Sequence, residues 1–249
     1  AHIGGLSVVT RALVTGTALT IVPKFDASRV TDLARECTLV SLVATTLARI
    51  DASIFRAILL GGSSAPADLP PNVVATYGMT ETASGIVYDG VPLDGVEIHI
   101  ADDGEILVRA PMVMRSYRDG STAVDAQGWL HTDDAGHWLA DGRLHVTGRR
   151  GDVIITGGQK VWPQSVEDAL SSDLGDTDYC ILGVPDHEWG ERVVLVTTQE
   201  TVDLGHVRDV VSSVLPSYCA PREIRRVESI PRTAIGKIRR QSVRESLSP

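Results

Sequence analysis

The sequence predicts an α/β protein in two parts: the incomplete remainder of a large domain, made of an open sheet and a small β subdomain, followed by a compact α+β C-terminal domain. Three observations carry this. Two short apolar runs, "RAILLGGSSAP" and "NVVATYGMTE", each break into Gly, Ser or Thr, as buried parallel strands do when they deliver loops to one edge of an open sheet. From Val91 the texture changes, and "GVEIHIADDGEILVRAP" alternates apolar and polar residues around Asp102-Asp103-Gly104, the pattern of an antiparallel hairpin. Beyond Asp152 the segments read helix, strand, strand, helix, strand, helix, a unit of about 100 residues and an ordinary domain size.

In chain order, "AHIGGLSVVTRALVTG" reads as a loop entering a mainly apolar helix, and "TALTIVPKF" as a strand ended by Pro23. "DASRVTDLAREC" has an Asp cap before helical spacing of Val30, Leu33 and Ala34. "LVSLVATTL" fits either a strand or a buried helix, because a short apolar run has no decisive period. The β subdomain runs on through "GWLHTDDAGHWLADGRLHVTG", with a turn at Asp141-Gly142. In the last 100 residues "PQSVEDALSS", "LGHVRDVVSSVL" and "KIRRQSVRESL" read as helices, and "DYCILGVP", "RVVLVTTQE" and "REIRRVESI" as strands.

Composition narrows the function classes. With 249 residues and 43% hydrophobic content the chain can bury at least one core and more readily two. Four Trp, five Tyr and two Phe leave the packing to aliphatic side chains. A net charge of −9 argues against a nucleic-acid partner, which needs a broad basic surface; "REIRRVESIPRTAIGKIRR" is the one strongly basic zone. No run approaches the roughly 20 apolar residues of a membrane helix, and the N-terminus has no export-signal pattern. Cys37, Cys180 and Cys219 are odd in number and lack metal-ligand spacing, which fits structural thiols in a reducing, cytoplasmic setting.

The residues that offer chemistry are few. "LLGGSSAP" and "YGMTET" place two glycine-containing loops at strand ends; their backbone N–H groups and the hydroxyls of Thr80 and Thr82 suit phosphate or carboxylate oxygens, Glu81 suits Mg2+, and Tyr77 suits a planar base. In "HTDDAG", Asp133 and Asp134 offer carboxylates for a ribose or form a solvated turn. Arg149 and Arg150 carry donor forks for phosphate or are surface charge. Lys237, after a Gly-containing turn in "PRTAIGKIRR", extends an ammonium toward an anion or into solvent.

Seven motifs then agree in order and spacing with one family. "YGMTET", "GEILVRAP", "GWLHTDD", "GRRGDVIITGGQKVWPQSVE", "GVPDHEWGE", "LPSYCAP" and "PRTAIGKIRR" resemble the adenylate-forming acyl-CoA ligase superfamily over essentially the whole chain. The resemblance implies residues 1–149 as the C-terminal portion of the large domain and residues 150–249 as a mobile lid pivoting at Gly151. It implies ATP-dependent activation of a small carboxylic acid through an acyl-adenylate, then transfer to CoA, with ATP, Mg2+ and CoA bound. Ser63, Ser64 and Ala65 would border the adenine and acyl pockets. Tyr77 would stack on adenine, with Gly78 and Met79 beside the nucleotide. Thr80 would touch the α-phosphate, and Glu81 would hold Mg2+. Asp134 would take the ribose hydroxyls and Arg149 the ribose or phosphate. Lys237 would bridge carboxylate and α-phosphate during adenylation, while Gly157 and Gly158 would let the pantetheine arm pass. His2, Gly78 and Ser84 would line the acid.

Within the family, "HIGGLSVVTRALVTG" and the compact early region resemble the branch that activates o-succinylbenzoate for menaquinone synthesis. Other small aryl or medium-chain acids, or a noncatalytic nucleotide-binding remnant, are the alternatives. Asp133 stands where the family usually has Gly. The family's phosphate loop, expected upstream of "AHIGGLS", implies a complementary upstream segment or a homo-oligomeric copy as the macromolecular partner.

Overall fold

A computed structural model describes residues 2–62, 69–175, 177–233 and 237–247. The chain divides into two compact units, Ala1–Val146 and Thr147–Pro249.

In the first unit, α1 (Ile3–Thr15) starts at His2 and stops at Gly16, whose φ of +65° suits the left-handed cap and whose N–H returns to Ala12 O. Residues 17–22, expected as a strand, form none. They pair with no strand among the described residues, and Leu19 and Ile21 face outward. α2 (Ala27–Leu33) begins where the Asp26 carboxylate accepts the Arg29 N–H at 2.8 Å. The ambiguous apolar run resolves as both readings: β1 (Leu39–Leu42) and, after Val43, α3 (Ala44–Leu47).

β2 (Ala57–Leu60) and β3 (Val73–Met79) continue β1 in parallel, and β4 (Ser84–Tyr88) and β5 (Val91–Pro92) add to β3 antiparallel, giving the order β1-β2-β3-β4-β5. Ile58, Leu60 and Val73 pack with Val30, Leu47 and Phe55 into one core. The expected alternating hairpin is β6 (Glu97–Ile100) with β7 (Glu105–Arg109), extended by β8 (Leu130–Trp138) and β9 (Leu144–Arg149) into a four-stranded sheet. Its core joins Ile106, Val108, Leu130 and Leu144 to Ile86 and Val87 of β4. β4 and this subdomain therefore share one packed interior.

The second unit opens with a hairpin, β10 (Ile154–Thr156) and β11 (Gln159–Val161), turning on Gly157 and Gly158 at φ +55° and +76°. α4 (Pro163–Leu174), β12 (Tyr179–Asp186), β13 (Gly190–Thr197), α5 (Leu204–Val214), β14 (Glu223–Arg226) and α6 (Arg240–Leu247) follow. The sheet order is β11-β10-β13-β12, with β14 parallel to β13. Strand alternation sorts the core into two layers. Ile181, Val193 and Leu195 pack with Val166, Leu170, Val207 and Val211 of α4 and α5; Cys180, Leu182, Val194 and Val196 pack with Val243 of α6 and Ile230. Each such fully buried aliphatic side chain stabilises the fold by about 1.5–3 kcal/mol. Covering both faces explains the continuous apolar runs "CILGV" and "VVLVT".

Candidate functional site

β3 and β4 meet through a single 3₁₀ turn, Thr80–Thr82, so "YGMTETASG" is a tight reversal of the chain. Gly78 makes it possible: a Cβ there would stand 2.1 Å from Ser84 O and 2.6 Å from Gly85 Cα, both backbone atoms. The turn is held by Thr82, which is buried; its hydroxyl donates to Ser84 O (2.8 Å), with Met79 O also within 3.1 Å, and accepts the Met79 N–H (2.9 Å). This corrects the expectation that the hydroxyls of both threonines serve a ligand. Thr82 is committed to the turn, and the Thr80 side chain is the exposed one.

Tyr77 and Asp134 come from motifs 57 positions apart, and the structure joins them: the Tyr77 hydroxyl donates to Asp134 Oδ2 at 3.0 Å. Asp134 is 7% exposed, and a carboxylate offers about four acceptor positions. A half-buried phenol beside a nearly buried carboxylate makes a planar apolar face next to an acceptor of hydroxyl protons. That is the chemistry a nucleoside's base and ribose require. Asp133 has φ +58° and points outward, so the residue standing in for the family's Gly is an Asp in a left-handed conformation that Asp tolerates. Its charge faces solvent.

Glu81, half-buried, sits in the same turn. Its Oε1 accepts the Tyr117 hydroxyl at 2.9 Å, and its backbone O accepts the Met114 N–H at 2.7 Å. A carboxylate offers about four acceptor positions, so one bond from Tyr117 leaves Glu81 fit to contribute an oxygen to a Mg2+ ion held mainly by phosphates and water. Among the described residues no group of three His, Cys, Asp or Glu forms a protein-only metal site. Ser84 contacts Ser7 of α1 at 3.2 Å between hydroxyl oxygens. His2 is exposed at the start of α1 and makes no side-chain cap bond. Ser63, Ser64 and Ala65 lie outside the described residues.

In the second unit, Arg149 closes β9 with an exposed side chain. Lys237 is exposed and is paired with Thr233, not set at a helix start as the sequence suggests. Its N–H donates to Thr233 Oγ1 at 3.1 Å, its carbonyl accepts the Thr233 N–H at 2.7 Å, and Arg232 bridges Ile238. α6 begins three residues later at Arg240, whose guanidinium holds both oxygens of Glu167 on α4 at 2.5 Å. Glu167 also accepts the Ile181 N–H at 2.8 Å. Burial pushes the Glu167 carboxyl above its usual value against the pull of Arg240. Arg232, five residues before Lys237, pairs with Asp178. The described residues on either side of Lys237 are thus tied down.

Gly157 and Gly158 have different reasons to be glycine. A Cβ on Gly157 would meet the Trp189 ring at 2.9 Å, whereas one on Gly158 would meet open space; Trp189 in turn lies under the Arg222 guanidinium, 4.0 Å from the ring centre. The Gly-Gly pair between two short strands is a hairpin signal present in the sequence that the motif reading passed over. Tyr117 has no such signal, because nothing in its local pattern points to a carboxylate 36 positions away. All three cysteines are free, and burial pushes the Cys180 thiol up to about 12, which suits packing and not nucleophilic chemistry.

Known proteins resemble this chain in sequence and fold. The AMP-binding enzyme C-terminal domain matches residues 165–237. The chain is 33% identical to the 2-succinylbenzoate–CoA ligase of Listeria monocytogenes, covering 98% of this chain and 59% of that protein. It is 34% identical to the probable 2-succinylbenzoate–CoA ligase of Mycobacterium tuberculosis, over 97% of this chain and 71% of the relative. Among solved structures, o-succinylbenzoate CoA synthetase of Bacillus subtilis, in complex with the acyl-adenylate intermediate, superposes with a TM-score of 0.84 at 31% identity, over 97% of this chain and 58% of the other. The chain thus spans about three-fifths of the length of several relatives it matches. With a relative 34% identical of which this chain covers 71%, and with the fold in agreement, the chain belongs to the AMP-binding, adenylate-forming enzyme family.

Proposed function

We propose that this chain serves ATP-dependent acyl-CoA ligation, in which a carboxylic acid, foremost o-succinylbenzoate, is activated as its acyl-adenylate and passed to CoA. The observation that carries the reading is the Tyr77–Asp134 bond, because it builds a base-and-ribose cradle from two distant motifs. The relatives named above support the choice of acid.

In this reading the nucleotide lies with its base on Tyr77 and its ribose hydroxyls donating to Asp134. Thr80, on the exposed edge of the turn, donates to the α-phosphate. Glu81 holds Mg2+, which when bound draws charge from the phosphate oxygens. His2 and Ser84 border the acid. Arg149 reaches the ribose or phosphate. Lys237 brings its ammonium to the carboxylate and α-phosphate oxygens while the acid attacks phosphorus and pyrophosphate leaves; a positioned cation stabilises the charge that builds there. For thioester formation the second unit turns about Gly151, withdraws Lys237 and presents Gly158, whose open face suits passage of the pantetheine arm. Three free thiols support a reducing, cytoplasmic setting, and no described helix is long and apolar enough to cross a membrane.

The test is AMP release by the chain with ATP, Mg2+, CoA and a panel of acids that includes o-succinylbenzoate, simple aryl acids and medium-chain acids. Preferential release with o-succinylbenzoate upholds the proposal. Preference for another acid keeps the ligase and replaces its substrate, and ATP binding without acid-dependent AMP release overturns the ligase reading.

A further inference from the structure

We propose that Glu105 is a positioning residue for the nucleotide ribose, acting by bracing a bulge in β8 that aims Asp134. The inference rests on the reading of Asp134 as the ribose carboxylate.

The register shows the bulge. Val108 pairs with Leu130 and Leu107 with His131, but the next pair is Glu105 with Ala135. Thr132, Asp133 and Asp134 therefore oppose the single residue Ile106. Side-chain alternation slips at the same place: Thr132 is buried, Asp133 exposed, and then Asp134, Ala135 and Gly136 are all buried. A regular strand would send Asp133 and Ala135 to one face and Asp134 to the other. Extra residues in one strand re-aim a side chain in this way. Gly136 belongs to the same device, since a Cβ there would stand 2.5 Å from His145 O and 2.8 Å from the Ile106 side chain.

Bulging strands lose ladder bonds, and the polar groups freed must be satisfied if buried. Two side chains do this. The Thr132 hydroxyl donates to Ile106 O at 2.7 Å and accepts the Asp134 N–H at 3.1 Å, replacing a lost backbone pair. Glu105, only 6% exposed, accepts the Asp133 N–H on Oε1 at 3.0 Å. Its Oε2 lies 3.1 Å from Nδ1 of His131, whose other ring nitrogen is 3.7 Å from Asp125. Glu105 thus grips the bulge at its backbone and at its entry, one residue before the carboxylate that Tyr77 touches. Without the Glu105 carboxylate the Asp133 N–H has no acceptor there, the left-handed turn relaxes, and Asp134 leaves the position Tyr77 marks.

The experiment compares binding of ATP and 2′,3′-dideoxy-ATP to wild type, Glu105→Ala and Glu105→Gln by calorimetry. Losing one bond to a charged acceptor predicts about tenfold weaker ATP binding for Glu105→Ala. Binding of the dideoxy nucleotide, which has no hydroxyls for Asp134, changes less than about twofold, while Glu105→Gln, retaining an acceptor for the Asp133 N–H, stays close to wild type. Equal weakening of both nucleotides, or of neither, overturns the positioning role. If Glu105→Ala does not fold, Thr132→Val removes the other brace at nearly constant shape and must give the same ribose-selective loss. Should Asp134→Ala leave wild-type ATP affinity unchanged, the ribose assignment itself falls and this inference with it, an outcome distinct from a failure of Glu105 alone.

Discussion

Replacing Arg240 by Met would remove the guanidinium from Glu167 while keeping most of the side chain's apolar stem. Both partners are nearly buried, with side-chain exposures of 13% and 11%, so the stranded carboxylate gains little solvation. Its cost has a ceiling, because the carboxyl can take a proton instead. At about 1.4 kcal/mol per pH unit, protonating an acid with an ordinary value of 4.5 costs about 3.4 kcal/mol at pH 7 and about 0.7 kcal/mol at pH 5. The sign follows from the direction of the shift. Burial already raises this carboxyl, and losing Arg240 raises it further, so the variant's deficit grows as pH rises above the ordinary carboxylate range. Arg240→Met therefore destabilises the second unit by up to about 3 kcal/mol more at pH 7 than the apolar exchange alone, and most of that excess disappears at pH 5. The assay is thiol labelling of buried Cys180 across a urea series at the two pH values. The double variant Glu167→Leu with Arg240→Met recovers much of the loss at pH 7. A deficit as large at pH 5 as at pH 7 would refute the argument.

Gly78→Ala forces a methyl against Ser84 O and destabilises the first unit by about 1–3 kcal/mol, with weaker AMP binding because Tyr77 shifts; thermal melts and an AMP titration read both, and an unchanged melt contradicts the close approach. Asp133→Val, with a branched side chain at φ +58°, costs about 1–2 kcal/mol, whereas Asp133→Asn is nearly neutral; equal effects in urea titrations would remove the left-handed turn from the account. Folded Cys180 holds its proton up to about 12 while an unfolded thiol loses it near 9. Stability therefore falls with rising pH above about 9, by up to about 1.4 kcal/mol per unit, and Cys180→Ala flattens that slope; an identical slope in the variant would place the loss elsewhere.

Much of the second unit was legible because its residues obey one period at a time. Val193 and Leu195 alternate with Val194 and Val196 between two covered faces, and "PQSVEDALSS" offers Pro at the helix start where no N–H is needed. Residues 17–22 misled because apolar content marks a candidate strand but supplies no neighbour to pair with. At the site, the order of motifs singled out Tyr77, Glu81, Asp134 and Lys237 as candidates, but local polarity does not say which hydroxyl turns inward. Thr80 and Thr82 differ only in the backbone around them, and the 3₁₀ turn gives the inward position to Thr82. The bonds from Tyr77 to Asp134 and from Tyr117 to Glu81 are tertiary facts, and the bulge at Ile106 depends on a register that no single strand encodes.

The most direct test of the account separates the two half-reactions in Lys237→Ala. Acid-dependent release of AMP and pyrophosphate from ATP falls by at least about a hundredfold, as expected when a transition-state cation is removed, while AMP binding and thioester formation from a supplied acyl-adenylate stay near wild type. Equal loss in all three measurements, or full adenylation without the lysine, would contradict the role assigned to Lys237 and with it the proposed ligase mechanism.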